Sequence, residues 1–197
     1  VLTTVIILVS SVVLGSGVVL YGTSLFQGGT QTENITVSGT KVWVHSTDST
    51  GLAWGAAGIR NTGDKVVAID TITVRGANIP FSQWYPDTDV STTVFQTALN
   101  HTGWAAAPSP AMSKIGSCAS NTNYLCIDVD SWGGNSDIIE ATAASGPVSL
   151  DPGQSAIVYF KMNNGTITSL DSGISTTVSV FAGTAGGPQS VTVIGKS

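Results

Sequence analysis

His45 and His101 are the only imidazoles in the chain. A nucleophile–base pair or a histidine-ligated metal would have to be built on one of them. His45 follows Lys41-Val42-Trp43-Val44 on an expected strand, and His101 sits inside Asn100-His101-Thr102. Neither has neighbours that suggest a triad. No Gly-x-Ser-x-Gly elbow, zinc spacing or phosphate-cradling loop occurs. The chain is therefore read as no enzyme, with no catalytic residue, cofactor or metal ligand assigned. Carboxylates cluster twice: Asp87 with Asp89, and Asp128, Asp130 and Asp137 with Asn135 around Ser131-Trp132-Gly133-Gly134. Hard oxygens on a glycine-bearing loop suit calcium. The EF-hand pattern fails, because Trp132 takes a ligand position and the closing Glu is absent. Solvated loop acids are the simpler reading, and calcium at Asp128–Asp137 stays open.

Two further chemistries are spelled out locally. Cys118 and Cys126 have seven residues between them. Beside an export signal they read as a short-loop disulfide, worth on the order of 2–3 kcal/mol by chain-entropy arithmetic. Asn34-Ile35-Thr36, Asn100-His101-Thr102 and Asn164-Gly165-Thr166 are glycosylation sequons. A sugar on Asn34, Asn100 or Asn164 needs a surface position outside the cytoplasm. Trp84, Trp104 and Trp132 could serve a subunit contact or a sugar site, with core packing as the default.

The elements that carry these residues divide sharply by charge. Of 197 residues only 10% are charged, with 7 Lys and Arg against 12 Asp and Glu. The isoelectric point is near 4.6 and the mean hydropathy is +0.28. So few cations cannot neutralise a phosphate backbone, which excludes nucleic acid as a partner. Residues 1–32 carry no charge, and Glu33 is the first. Residues 1–26 form one apolar run, VLTTVIILVSSVVLGSGVVLYGTSLF. As a helix it would reach about 39 Å, enough to anchor in a bilayer. Because the run opens without Met or a basic segment, the expectation is either that a short basic leader was cut just before it or that the run is a permanent anchor.

At 100° per residue, Thr4, Ser11, Gly15 and Gly22 fall within about 20° of one line, the small-residue stripe of closely packed helices. Val5, Leu8, Val12 and Val19 join these four as the expected helix-packing residues. Residues 1–27 are read as the hydrophobic helix, 28–32 as a hinge and 33–197 as a surface head. In the head, period-two patterning predicts strands over 35–38, 41–46, 55–60, 66–75, 90–95, 125–129, 138–142, 155–162, 174–181 and 190–194. Ser38-Gly39, the segment Asn61 to Asp64, Arg75-Gly76, the segment Asp151 to Gly153, Asn164-Gly165 and Gly186-Gly187-Pro188 supply the turns. The expected fold class is α+β: a long N-terminal hydrophobic α-helix followed by an all-β, Ig-like antiparallel sandwich head. Residues 77–134 are expected to form loops decorating it.

This layout resembles the archaeal type IV filament subunits, the family of adhesion pilins and archaellins. The likeness is sharpest in the opening apolar run. In the head it is carried by AGIRNTGDKVVAIDTITVRG (57–76) and LDPGQSAIVYFKM (150–162). The resemblance implies a prepilin peptidase, a separate assembly ATPase and platform, and a membrane-anchored stage before assembly. It also implies identical subunits as partners in an extracellular, cell-surface helical homopolymer displaying its head for adhesion. Bacterial pilins carry a Glu at the fifth mature position, whereas this chain has Val5 and no acid in the run. An archaellin and a non-polymerising, membrane-anchored binding module are the alternatives.

Overall fold

The computed structural model describes residues 2–28, 32–47, 51–90, 124–128 and 138–196. Side chains are described over 3–16 of the helix but not over 17–28, 124–128 or 138–142. The chain divides into two compact units, Val1–Thr32 and Glu33–Ser197. The first holds helix α1, Leu2–Gly28. The second holds β1 (Ile35–His45), β2 (Ala53–Asn61), β3 (Val67–Ile69), β4 (Thr71–Val74), β5 (Ala77–Asn78), β6 (Trp84–Asp87), β7 (Tyr124–Asp128), β8 (Ile138–Thr142), β9 (Val148–Leu150), β10 (Ser155–Lys161), β11 (Ser175–Ala182) and β12 (Ala185–Lys196). About half of the described residues lie in strands.

Eight strands form one curled half-barrel sheet in the order β5-β4-β11-β12-β1-β2-β10-β6. Its first and last long strands, β1 and β12, lie side by side and parallel, Val42 opposite Val193 through His45 opposite Lys196. The other neighbours in this sheet are antiparallel. Parallel partners need a long connection, and here nearly the whole head lies between the two strands in sequence. The ribbon β3–β9 pairs Val67 with Leu150 and Ile69 with Val148. Its Val67, Ile69, Val148 and Leu150 are buried in the same core as Val42, Val44, Ile59, Val158 and Phe160 of the large sheet. β7 and β8 form a separate two-stranded sheet.

These observations correct the expected fold class. The head is not an Ig-like antiparallel sandwich but a mixed, curled single sheet whose core the short β3–β9 ribbon helps to fill. Period-two patterning fixes which face of a strand is buried, not which strand it pairs with. The long-helix half of the expectation is corrected as well. Among the described residues no helix is long and apolar enough to cross a membrane.

Local departures have local causes. Ser38-Gly39 is a bulge inside β1, with Gly39 at φ 64°, rather than a turn between two strands. Next to it Gln189 of β12 donates to the Val37 carbonyl at 2.6 Å and accepts from Thr40 Oγ1 at 2.8 Å. That side chain ties β1 to β12 before their backbone pairing begins at Val42. The expected strand 66–75 breaks at Asp70, whose N–H donates to the Phe181 carbonyl at 3.1 Å, so β3 and β4 enter different sheets. Gly186-Gly187-Pro188 belongs to β12, not to a turn. Within the expected loop region 77–134 the structure has β5, β6 and β7.

Candidate functional site

Helix α1 exposes aliphatic side chains on every side. Val5, Ile6, Ile7, Leu8, Val9, Val12, Val13 and Leu14 are 55–69% exposed. Four successive residues, Val5 to Leu8, point in directions 100° apart, so a neighbour on one side cannot cover them all. The hydroxyls turn back onto the helix. Ser10 Oγ donates to the Ile6 carbonyl at 2.7 Å, Ser11 Oγ to Leu8 at 2.9 Å and Ser16 Oγ to Val13 at 3.0 Å. These three serines thus present little unmet polarity to an apolar neighbour. Of the expected packing residues, Thr4, Val5, Leu8, Ser11, Val12 and Gly15 are all exposed. Nothing within 4 Å would meet a Cβ added at Gly15. Val19 and Gly22 fall in the helix, with side chains outside the described residues.

In the head, the segment that follows β2 folds around a buried amide. Asn61 is fully buried. Its Nδ2 donates to the Lys65 carbonyl at 2.6 Å and to the Leu150 carbonyl at 2.9 Å, and its Oδ1 accepts from Gly63 N–H at 2.9 Å. Asn61 thus stitches together the two head segments on which the family resemblance rests. Beside it, Asn34 of the first sequon is exposed, while its carbonyl accepts from the N–H groups of Thr62 and Gly63 at 3.0 and 3.1 Å. An open cleft of about 330 Å³ runs past Asn34, Ile35 and Thr36 to Gly187 and Gln189. Asn164 is also exposed, in a turn closed by Thr166 N–H to the Asn163 carbonyl at 3.1 Å. The two described sequons therefore have solvent-facing asparagines; Asn100 lies outside the described residues.

At the far end of β4, Arg75 and Gly76 stand at φ 52° and 79° in the β4–β5 hairpin turn. Arg75 Nη2 donates to Asp171 Oδ1 at 2.6 Å. Asp171 Oδ2 accepts from Thr168 N–H at 2.8 Å and Thr168 Oγ1 at 3.0 Å. The Arg75 guanidinium, with help from the Thr168 N–H, pulls the Asp171 carboxyl down to about 2.

The outer face of β1, β2, β10 and β6 was not foreseen. Trp43, Trp54 and Tyr159 are buried there, apart from the main core cluster. Tyr85 sits opposite Tyr159, and its ring centroid is 5.6 Å from that of Trp54. Trp54 Nε1 and Tyr159 Oη have no hydrogen-bond partner among the described residues. Asp87, on the same edge, is half-buried, and burial raises its pKa; the Asp89 N–H at 3.1 Å opposes that rise. The signal missed was the burial of both faces in AWGAAGIRN, where the small run Gly55 to Gly58 leaves room for large side chains of neighbouring strands. Trp84 belongs to the main core, its Nε1 donating to the Ile79 carbonyl at 3.0 Å.

Other sequence expectations fall elsewhere. Cys118, His101, Trp104, Trp132 and the acidic loop after Asp128 lie outside the described residues, and so does the Cys126 side chain. The disulfide and calcium readings therefore have no geometry to weigh. Among the described residues no group of three or more His, Cys, Asp or Glu side chains could hold a metal. His45 Nδ1, at the end of β1, accepts from Thr47 N–H at 3.3 Å and lies 3.4 Å from Thr47 Oγ1. Neither the known protein families nor the curated proteins match this chain.

Proposed function

We propose that the chain is the structural subunit of an extracellular helical filament of the archaeal type IV pilus class. It polymerises through its N-terminal helix with identical subunits and displays its head for adhesion. The observation that carries this reading is the aliphatic surface of α1, exposed all round its circumference with its serine hydroxyls turned inward. Burying one such Val, Ile or Leu side chain is worth about 1.5–3 kcal/mol. One partner helix covers a single stripe, whereas several copies packed around each helix cover the whole surface. Such repeated, heterologous contacts build open helical polymers. The exposed asparagines of two sequons and the lightly charged, Ser- and Thr-rich head suit a surface outside the cell.

Electron microscopy of the purified full-length chain, as detergent is withdrawn, tests the proposal. Filaments are the expected outcome. Deleting residues 1–32 should leave dispersed, folded heads. Ser11→Leu with Gly15→Leu should abolish or alter the filaments while the head stays folded. Dispersed chains under every condition would sink the reading.

A further inference from the structure

Two sequons lie among the described residues, and the fold presents them differently. Asn34-Ile35-Thr36 is built into the sheet. Ile35 is buried and pairs with Asn61, and Thr36 pairs with Arg60. The Asn34 carbonyl accepts from the N–H groups of Thr62 and Gly63. An enzyme that grips the backbone of this sequon must first pull the start of β1 away from β2. Asn164-Gly165-Thr166 lies outside every strand, between β10 and the 3-10 turn Ser169–Asp171. Opening a surface turn costs far less than detaching a strand whose side chains reach the core.

The turn holds Asn164 at its corner. Thr166 N–H donates to the Asn163 carbonyl at 3.1 Å, and Gly165 stands at φ 84° in the third position, which is the type II pattern. One side of the turn is fixed. Asn163 Oδ1 accepts from Gln83 Nε2 at 3.1 Å, and a Cβ added at Gly51 would stand 2.9 Å from Gly165 N and from the Ile167 carbonyl. The other side is open, since a Cβ added at Gly165 meets nothing within 4 Å. Asn163, Asn164 and Gly165 are all exposed. The Asn164 amide has no hydrogen-bond partner among the described residues, whereas the Asn61 amide binds three backbone groups. A bulky group on Asn164 Nδ2 therefore breaks no bond and displaces no described neighbour.

We propose that the folded head is N-glycosylated at Asn164 and not at Asn34. Asn164 Nδ2 attacks the anomeric carbon of an oligosaccharide carried on a lipid phosphate. The new C–N bond forms as the C–O bond between sugar and phosphate breaks. The lipid phosphate leaves with the electron pair, and one amide proton passes to a base of the transferase. Thr166 supplies the hydroxyl that completes the acceptor signal. The assignment requires an exported head but no polymer, so it is independent of the filament reading.

Peptide mass spectrometry of the full-length protein, isolated from the surface of its own cells in an Asn100→Gln background, tests the assignment. Sugar mass is expected on Asn164 and none on Asn34. Asn164→Gln and Thr166→Ala should lose it entirely, and Thr166→Ser should keep it. Asn164→Gln should unfold at the temperature of the enzymatically deglycosylated parent, because the amide it replaces supports no described contact. A bare Asn164, sugar on Asn34, or sugar that persists in Thr166→Ala overturns the assignment. Filaments whose Asn164 is bare overturn it alone. Dispersed chains whose Asn164 carries sugar overturn the filament reading alone.

Discussion

Arg75 Nη2 lies 2.6 Å from Asp171 Oδ1, joining the β4–β5 turn to the 3-10 turn 96 residues later. Arg75 holds this contact from a left-handed backbone, followed by Gly76 at φ 79°. Strain and ion pair therefore oppose one another, and substitutions separate them. Arg75→Ala keeps the strain and loses the pair. Arg75→Gly loses both, and relief of about 1 kcal/mol of strain offsets a surface pair of similar or smaller worth. Thermal unfolding should place Arg75→Gly near the wild type and Arg75→Ala below both.

The two perturbed carboxylates give opposite pH signatures. Asp171 has its pKa depressed from the ordinary 3.8 to about 2. Its contribution is therefore present above about pH 4 and is lost as pH falls towards about 2. Asp171→Asn should be less stable than the wild type at neutral pH, and the two melting temperatures should converge at about pH 2. Asp87 has its pKa raised, first by burial. A raised carboxylate pKa opposes folding once the group is ionised and ceases to matter below the ordinary value. Asp87→Asn should match or exceed the wild type at neutral pH, keeping the acceptor for Asp89 N–H. Any gain should vanish below about pH 4.

Asn61 satisfies three backbone groups in a site with no solvent exposure. Asn61→Ala leaves the Gly63 N–H with the Asn34 carbonyl alone and removes the amide donor from the Lys65 and Leu150 carbonyls. Each unmet buried group costs about 1–3 kcal/mol. Denaturant titration should show the loss as a lower midpoint with an unchanged slope.

Asn61 also shows what was legible in the sequence. The segment Asn61 to Asp64 reads correctly as a turn, since Asn and Gly are strong turn residues. That its amide would hold Leu150, 89 residues away, has no local signature. Strands 138–142, 155–162 and 174–181 were legible to within a residue or so; in β11 alternation survives because one face stays wet, while β10 reads as a continuous apolar run buried on both faces. The central position of β12 was not, nor its parallel pairing with β1. Nothing in a strand's own residues encodes its neighbour. Glycines misled in both directions: Gly39 and Gly186 punctuate the sequence but stand inside strands at positive φ. At the candidate site, the aliphatic helix surface was legible directly. The Arg75–Asp171 and Asn61 clamps were not, because each joins residues distant in sequence.

Gly55 of β2 faces the fully buried ring of Phe160, and a Cβ there would collide with the Phe160 ring edge. The Lys41 carbonyl, 3.2 Å from the same point, closes the other side. Gly55→Ala should therefore displace Phe160 and cost about 1–3 kcal/mol, the usual range for overpacking a core. A paired Gly55→Ala with Phe160→Leu, which frees the colliding ring space, should recover part of that loss in a double-mutant cycle.

Tyr159 offers the opposite case, a buried group whose removal should be harmless. Its ring is packed on the outer face opposite Tyr85, and its hydroxyl has no partner among the described residues. Burial, with the Asp87 carboxylate as a second influence, pushes its pKa far above the phenol range, so the hydroxyl stays protonated. A buried O–H without an acceptor sacrifices its hydration and gains nothing in return, a loss of about 1–3 kcal/mol. Tyr159→Phe keeps the ring and deletes the unmet polarity, so it should be neutral or stabilising. Tyr159→Ala removes the ring as well and should cost about 3–5 kcal/mol, as large-to-small changes of aromatic core residues do. Equilibrium denaturation of the three proteins decides the point. A Tyr159→Phe variant less stable than wild type by more than about 1 kcal/mol would show that the hydroxyl is hydrogen-bonded in solution.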